Sequence, residues 1–176
     1  MTGARARGAT AMPPAQLLRL HRHSRSNLLV LGGSETQRVA AARAFHRTSP
    51  SGAGPFLFVN CAREEWRLRR ALECWLLPDE AQPDSNPLRE SEHGTLYLES
   101  VGRLSAPTQR LLLALTLRLQ ASPMGGPGAP GPYRLAVGDP GDLAEAVEDG
   151  HFSGALLDSL DKIRVVLGRA GRRGAA

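Results

Sequence analysis

Five short strand-like runs recur along the chain, separated by longer stretches with helical patterning. The runs are NLLVL (27–31), FLFV (56–59), TLYL (95–98), YRLAV (133–137) and IRVVL (163–167). Their apolar residues are largely continuous rather than alternating, which is typical of strands covered on both faces. Strands that alternate with helices form a mostly parallel sheet with helices on both faces. The sequence therefore predicts an α/β fold with a five-stranded sheet, whose ligands collect at the carboxyl ends of the strands.

The length of the chain fits one domain, because 176 residues can bury a sizeable core. We expect a disordered basic tail over 1–13, the domain over 14–168 and a second basic tail over 169–176. Arginines without acids near the amino terminus also fit a transit peptide or a nucleic-acid-binding arm, but a solvated tail is the simpler interpretation. No apolar run approaches the roughly 18 residues of a membrane span, so no membrane partner is expected.

The stretch LGGSETQRV (31–39) follows the first predicted strand and has the local pattern of a phosphate-binding loop. Such a loop reads GxxxxGK[ST], where glycines let backbone N–H groups curl around the phosphates and a lysine reaches their oxygens. Gly32 can serve as the first glycine, and a helix is predicted from about Thr36. The later positions depart from the pattern, since they hold Gln37, Arg38 and Val39. Glu35 would also place a carboxylate beside the phosphates.

The composition also excludes a phosphate-binding lysine at a position close to this loop. Of the 22 basic residues, only Lys162 is a lysine, so no shift of alignment recovers a phosphate-binding lysine. The two cysteines, Cys61 and Cys74, form no CxxC pair and follow no secretory segment. They favour a reduced, cytoplasmic setting.

Several phrases, taken in order, resemble the sigma-54 interaction domain, the AAA+ ATPase domain of bacterial enhancer-binding activators. They are GGSETQR, AFHRTSP, PFLFVNCA, HGTLYLESVGRLSAPTQRLLLAL and YRLAVGDPGDLAEAVEDGHFSGALLDSLDKIRVVL. In that family the same phrases contain the Walker A loop, the second strand, the Walker B segment and the sensor strand with the segment beyond it. The resemblance covers residues 27–167 and implies a P-loop NTPase-like fold.

The resemblance also implies that the catalytic positions are altered. Arg38 stands at the Walker A lysine, and Glu99 and Ser100 stand where the family has the Walker B Asp-Glu pair. The sensor position aligns with Asp139, and the two arginine-finger positions hold serines. The carboxylate that activates water and the charges that stabilise the transition state are thus missing, so no ATPase activity is expected. The resulting vestigial nucleotide site comprises Gly32, Gly33, Ser34, Glu35, Thr36, Gln37, Arg38, Glu99, Ser100 and Asp139, and the lost finger positions are Ser153 and Ser159.

Two further family elements have no counterpart in the sequence. The GAFTGA loop that engages the sigma factor has no equivalent in PDEAQPDSNPLRESEHG (78–94). The chain stops soon after the fifth strand, so we expect neither the helical lid nor the helix-turn-helix of a complete activator. The resemblance then implies that the chain does not itself remodel a sigma-54 polymerase.

Other residues allow more than one interpretation. The spacing of Trp66 and Trp75 favours core packing on one helix face, with partner contact as the alternative. His46 is interpreted as a helix cap. Glu99 and Asp139 could form a new metal pair, but solvated remnants of an altered site are the simpler interpretation, and no metal or cofactor is expected.

These observations favour an inactive AAA+-like interaction module, a bacterial regulatory protein linked to transcription control. Its partner would be a protein, either an intact AAA+ activator or a second copy, meeting residues 32–38 or 152–160. One alternative is a non-hydrolysing nucleotide switch that uses the backbone N–H groups of Ser34 to Thr36 and Arg38. A second alternative is a nucleic-acid accessory that uses the arginines of 5–25 and 164–173. The net charge of +5 is modest for that role, and no aromatic platform accompanies those arginines.

Overall fold

The computed structural model describes residues 13–21, 24–76, 85–121, 132 and 134–168. The predicted tails therefore lie outside the described residues, apart from Pro13. The stretch 78–94 is described only from Ser85 onward.

Seven α-helices and five β-strands are present in the described part of the chain. The strands are β1 (Leu28–Gly32), β2 (Phe56–Asn60), β3 (Thr95–Glu99), β4 (Arg134–Asp139) and β5 (Ile163–Leu167). The helices are α1 (Pro14–Leu20), α2 (Glu35–Arg47), α3 (Cys61–Leu76), α4 (Pro87–Glu90), α5 (Ala106–Ala121), α6 (Leu143–Glu148) and α7 (Gly154–Leu160).

All five strands form one sheet in the order β2-β3-β4-β1-β5, and every neighbouring pair is parallel. The predicted α/β fold is confirmed, and the sheet is wholly parallel. Because all five strands run in one direction, the carboxyl ends of β1, β3 and β4 lie at the same edge of the sheet. Gly32, Glu99 and Asp139 all lie there.

The sheet separates two apolar layers, because successive strand residues point to opposite faces. Leu29 and Leu31 of β1 pack with α3, α5, α6 and α7. Leu28 and Val30 pack with Ala42 and Phe45 of α2 on the other face. Burial on both faces explains why the sequences of β1, β3 and β4 lack alternation. The prediction that all five strands are covered on both faces was wrong for the edge strand β5, which exposes Arg164 and Val166.

The position of Trp66 on helix α3 differs from the predicted core packing. This indole is 72% exposed, whereas Trp75 is half-buried against the core with the Arg118 guanidinium 5.1 Å from its ring centre. Nine residues separate the two tryptophans, which is about two and a half helical turns. They therefore lie on opposite sides of α3, and the prediction that both pack in the core was wrong for Trp66.

His46 is a packed residue rather than a helix cap. Its ring is buried, with Nδ1 3.0 Å from Thr95 Oγ1 and an edge-on contact to Phe56. Burial, together with the charges of Arg134 and Arg43, lowers the pKa of His46. The interpretation of His46 as a cap was wrong.

Cys61 and Cys74 are both buried, and neither is in a disulfide. Burial, with the nearby charge of Glu65, raises the pKa of the Cys61 thiol. Within the described ranges, no helix has the length and apolar character needed to span a membrane.

Candidate functional site

The turn after β1 takes its shape from two glycines. Gly32 and Gly33 have φ angles of +75° and +62°, which glycine adopts without strain. A Cβ on Gly32 would also lie 2.6 Å from the Leu167 carbonyl oxygen of β5. The sequence therefore folds here as a strand, a glycine turn and a helix, as the phosphate-loop pattern predicts.

The helix that follows uses its own side chains to satisfy its first N–H groups. Ser34 Oγ accepts from the Gln37 N–H at 3.2 Å, and Gln37 Oε1 accepts from the Ser34 N–H at 2.9 Å. This reciprocal pair is a capping box. The Arg38 N–H donates to the Ser34 carbonyl oxygen at 3.0 Å. The N–H groups of Ser34 and Arg38, two of those expected to hold phosphate, thus have partners within the loop.

The Arg38 side chain folds back under this loop and is 3% exposed. Its Nη1 donates to the carbonyl oxygens of Gly32 and Gly33, at 2.9 and 2.8 Å. Its Nη2 lies 2.5 Å from Glu99 Oε1, and its Nε lies 3.1 Å from the same oxygen. The guanidinium therefore joins the turn after β1 to the end of β3. Burial alone would lower the pKa of Arg38, but the hydrogen bond and charge of Glu99 raise it.

Glu99 is completely buried and is surrounded by donors. The Tyr97 hydroxyl donates to Oε2 at 2.5 Å, and the Ser100 hydroxyl donates to Oε1 at 3.3 Å. Burial, and then the hydrogen bond and charge of Glu99, raise the pKa of Tyr97. Tyr97 therefore stays protonated and acts as a donor. Arg38, Glu99 and Tyr97 form one buried network.

Asp139, at the end of β4, is also buried and is held by backbone groups. Its Oδ2 accepts from the Gly102 N–H at 2.7 Å, and its Oδ1 accepts from the Gly141 N–H at 2.9 Å. Burial raises the pKa of Asp139, although these two hydrogen bonds oppose the shift. Both oxygens of this carboxylate thus fix the turns that follow β3 and β4.

Glu99 and Asp139 are not solvated remnants, and that interpretation was wrong. Their relative exposures are 0% and 7%. Arg38 binds the Glu99 carboxylate, and backbone N–H groups of nearby turns donate to the Asp139 carboxylate. Among the described residues, no group of three or more His, Cys, Asp or Glu side chains is placed to hold a metal ion.

The serines at the two finger positions have structural contacts. The Ser153 hydroxyl accepts from the Leu156 N–H and caps α7. Ser159 is buried, and its hydroxyl donates to Thr116 Oγ1 at 2.7 Å. Phe152, Leu156 and Leu160 are also buried. The segment 152–160, which the sequence offered as a contact surface, therefore exposes only some of its residues.

Two contributors to this site were missed by the sequence analysis. Tyr97 was read only as a strand residue, although it donates to Glu99. Gly138 faces that hydroxyl so closely that a Cβ there would lie 2.1 Å from it. An aromatic residue two positions before a carboxylate lies on the same strand face, which is a weak signal for such a pair.

The sheet order and the glycine turn between β1 and α2 define an AAA+ P-loop NTPase fold. Solved structures agree. NtrX from Brucella abortus in complex with ADP matches with a TM-score of 0.70 and 24% identity, over 87% of this chain and 35% of that one. The P-loop NTPase domain of the Sigma-54 transport activator from E. coli matches with a TM-score of 0.57 and 16% identity, over 86% of this chain and 89% of that one.

Sequence relatives place the chain more narrowly. The Nif-specific regulatory protein of Herbaspirillum seropedicae is 32% identical over 152 residues, and regulatory protein AtoC of Escherichia coli is 30% identical over 152 residues. Each alignment covers 82% of this chain. No family model matches the chain. The chain is a homologue of the AAA+ domain of sigma-54-dependent transcriptional activators.

The match is confined to part of each relative. The chain spans 28% of the length of the Herbaspirillum protein and 32% of the length of AtoC.

Proposed function

We propose that the chain is an AAA+ module of transcription regulation that neither binds nor hydrolyses ATP and acts through protein contacts. The observation on which this rests is the buried Arg38–Glu99 ion pair, with its 2.5 Å Nη2–Oε1 contact. In the Walker pattern these positions hold the lysine that reaches the phosphates and a carboxylate that contacts the magnesium ion. Here the two side chains bind each other.

Mg-ATP does not fit the residues present at this site. A Walker lysine is a compact point charge, whereas the planar guanidinium of Arg38 is bulkier and is engaged on both sides. Its nitrogens bind Glu99 as well as the carbonyl oxygens of Gly32 and Gly33. To bind magnesium or phosphate, the site would first have to separate a buried ion pair, which costs several kcal/mol.

The residues needed for hydrolysis are replaced as well. Ser100 supplies no carboxylate to polarise a water molecule, and both oxygens of Asp139 accept backbone hydrogen bonds. Ser153 and Ser159, at the finger positions, cap α7 and bind Thr116 respectively. Several independent parts of the catalytic arrangement are therefore changed together.

The alternative of a nucleotide-binding switch has less support. It relies on backbone N–H groups to hold phosphate, and those of Ser34 and Arg38 already have partners in the capping box and the helix. The exposed Glu35 carboxylate at the start of α2 adds repulsion toward any phosphate.

A contact role remains because the loop keeps an exposed rim. Ser34, Glu35, Thr36 and Gln37 are exposed above the buried Arg38. We propose that this rim faces a partner protein, either an intact AAA+ activator or a second copy of this chain. The relatives are transcriptional regulators, which supports a role in the same process.

Phosphate release from Mg-ATP tests the proposal. We expect the purified chain to release phosphate no faster than buffer, because Ser100 stands where the water-activating carboxylate would be. The matched control is Glu99→Gln, which changes the Walker B position. Release that exceeds the buffer rate and disappears in Glu99→Gln would reject the proposal.

A further inference from the structure

A second feature of interest lies at the same edge of the sheet, beside β2 and β3. An open hollow of about 600 Å³ is lined by Cys61, Ala62, Arg63, Glu65, Trp66 and Arg103. Helix α3 begins directly after β2, and Arg103 ends the 3-10 turn Val101–Arg103 that follows β3. The residues that directly follow β2 and β3 therefore lie around the same hollow.

The wall formed by Trp66 is unusual for a surface. The side chain is 72% exposed, although a tryptophan gains much free energy from burial. Arg63 and Arg103 are exposed on the same hollow, and neither forms an ion pair among the residues that the structure describes. Tryptophan and arginine are the residue types enriched among those that contribute most to binding at protein interfaces.

The acid of the hollow, Glu65, forms no ion pair with either arginine among the described residues. Glu65 Oε1 accepts from the Ser105 N–H at 2.8 Å, from the Ser105 hydroxyl at 2.5 Å and from the Thr108 hydroxyl at 2.6 Å. The Glu65 carboxylate therefore accepts hydrogen bonds from residues at the start of α5. The same contacts tie the start of α3 to the start of α5, so the backbone around the hollow is in place before a ligand arrives and binding has only side chains to order.

We propose that this hollow binds an acidic segment of a partner protein, with an apolar side chain against Trp66 and carboxylates on Arg63 and Arg103. The inference rests on the proposed function as a protein-contact module and names a surface for it. Charge complementarity selects the acidic partner, since arginines bind carboxylates in a planar, bidentate manner.

Single-stranded nucleic acid shares the need for arginines and an aromatic platform, but it fits the surface less well. Such ligands stack successive bases on several aromatic side chains along a groove. The other aromatic residues in the described ranges are buried or half-buried: Phe45, Phe56, Phe58, Trp75, Tyr97 and Phe152. A single exposed aromatic side chain, Trp66, therefore suits one apolar side chain of a peptide better than a row of stacked bases.

The test is a calorimetric titration of the whole chain with a synthetic peptide in which aspartates and glutamates flank one phenylalanine. We expect saturable binding and a change in tryptophan emission. Trp66→Ala, and separately Arg63→Glu with Arg103→Glu, should each weaken binding by about tenfold or more. The altered side chains are exposed, so the variants should keep the melting temperature of the parent chain.

A charge-matched control separates local recognition from general attraction. Arg47→Glu with Arg89→Glu makes the same change in net charge at exposed positions on α2 and α4, and it should leave peptide binding within about twofold of the parent value. A peptide with alanine in place of phenylalanine should bind more weakly.

Three results would overturn this inference. They are an absence of saturable peptide binding, peptide binding that the hollow variants leave unchanged, and Trp66-dependent binding of single-stranded oligothymidylate in place of the peptide. A chain that fails the peptide titration but still releases no phosphate from ATP keeps the proposed function and loses only this surface.

Discussion

Arg38→Ala is expected to lower the free energy of unfolding by about 3–5 kcal/mol, because it removes one partner of a buried ion pair. Glu99 is completely buried, and after the substitution its negative charge would retain only the hydroxyls of Tyr97 and Ser100. The Gly32 and Gly33 carbonyl oxygens would lose a donor at the same time. Equilibrium unfolding in denaturant measures the effect.

Two companion variants make this measurement specific. Arg47→Ala, at an exposed position of the same helix, should change stability by no more than about 0.5 kcal/mol. Arg38→Met combined with Glu99→Gln removes both charges and should recover a large part of the loss, because no uncompensated charge stays buried. A loss under about 1 kcal/mol for Arg38→Ala would mean that the ion pair does not hold the site together.

Gly138→Ala is expected to cost about 3–5 kcal/mol of stability, from overpacking combined with loss of a buried hydrogen bond to a charged group. A Cβ at this position of β4 would lie 2.1 Å from the Tyr97 hydroxyl and 2.9 Å from Glu99 Oε2. The Tyr97 ring is fully buried, so the hydroxyl has little room to move away. The same unfolding assay measures the loss.

Adding Tyr97→Phe to Gly138→Ala removes the nearest clashing atom. The double variant should therefore be more stable than Gly138→Ala alone, although Tyr97→Phe by itself should be destabilising. Gly154→Ala is the matched control, since its Cβ would make only a 3.4 Å contact with Val147. If the two substitutions are simply additive, the packing of Gly138 against Tyr97 is not the cause of the loss.

The sheet could be predicted because its signals are local. Runs such as FLFV and TLYL are short, apolar and bounded by turns, and the strands β2 and β3 contain them. The glycine turn before α2 was also predictable, since only glycine adopts the φ angles of Gly32 and Gly33 easily.

For the interior of the candidate site, the sequence predicted which positions are altered but not how their side chains contact each other. Arg38 and Glu99 are 61 residues apart, and their contact depends on the guanidinium turning under the loop rather than toward solvent. The resemblance to the family motifs indicated that each position had changed, but not that the two new side chains bind each other. Tyr97 joins the network through strand geometry that no motif records.

Helix faces were the other source of error. The spacing of Trp66 and Trp75 was taken as one face, although nine residues place them on opposite sides of α3. Ser159 was assigned to a contact surface but lies under α5, where its hydroxyl binds Thr116. In both cases packing between helices, rather than composition, decides which residues reach the surface.

Thermal melting of the purified chain with saturating Mg-ATP tests the central claim most directly. A ligand at a hundred times its dissociation constant adds about 2.7 kcal/mol to stability, which raises Tm by several degrees in a domain of this size. We expect no shift beyond that of magnesium alone, because Arg38 and Glu99 bind each other where a nucleotide would need both. A saturable rise in Tm with Mg-ATP would contradict the account and identify LGGSETQRV as a working nucleotide site.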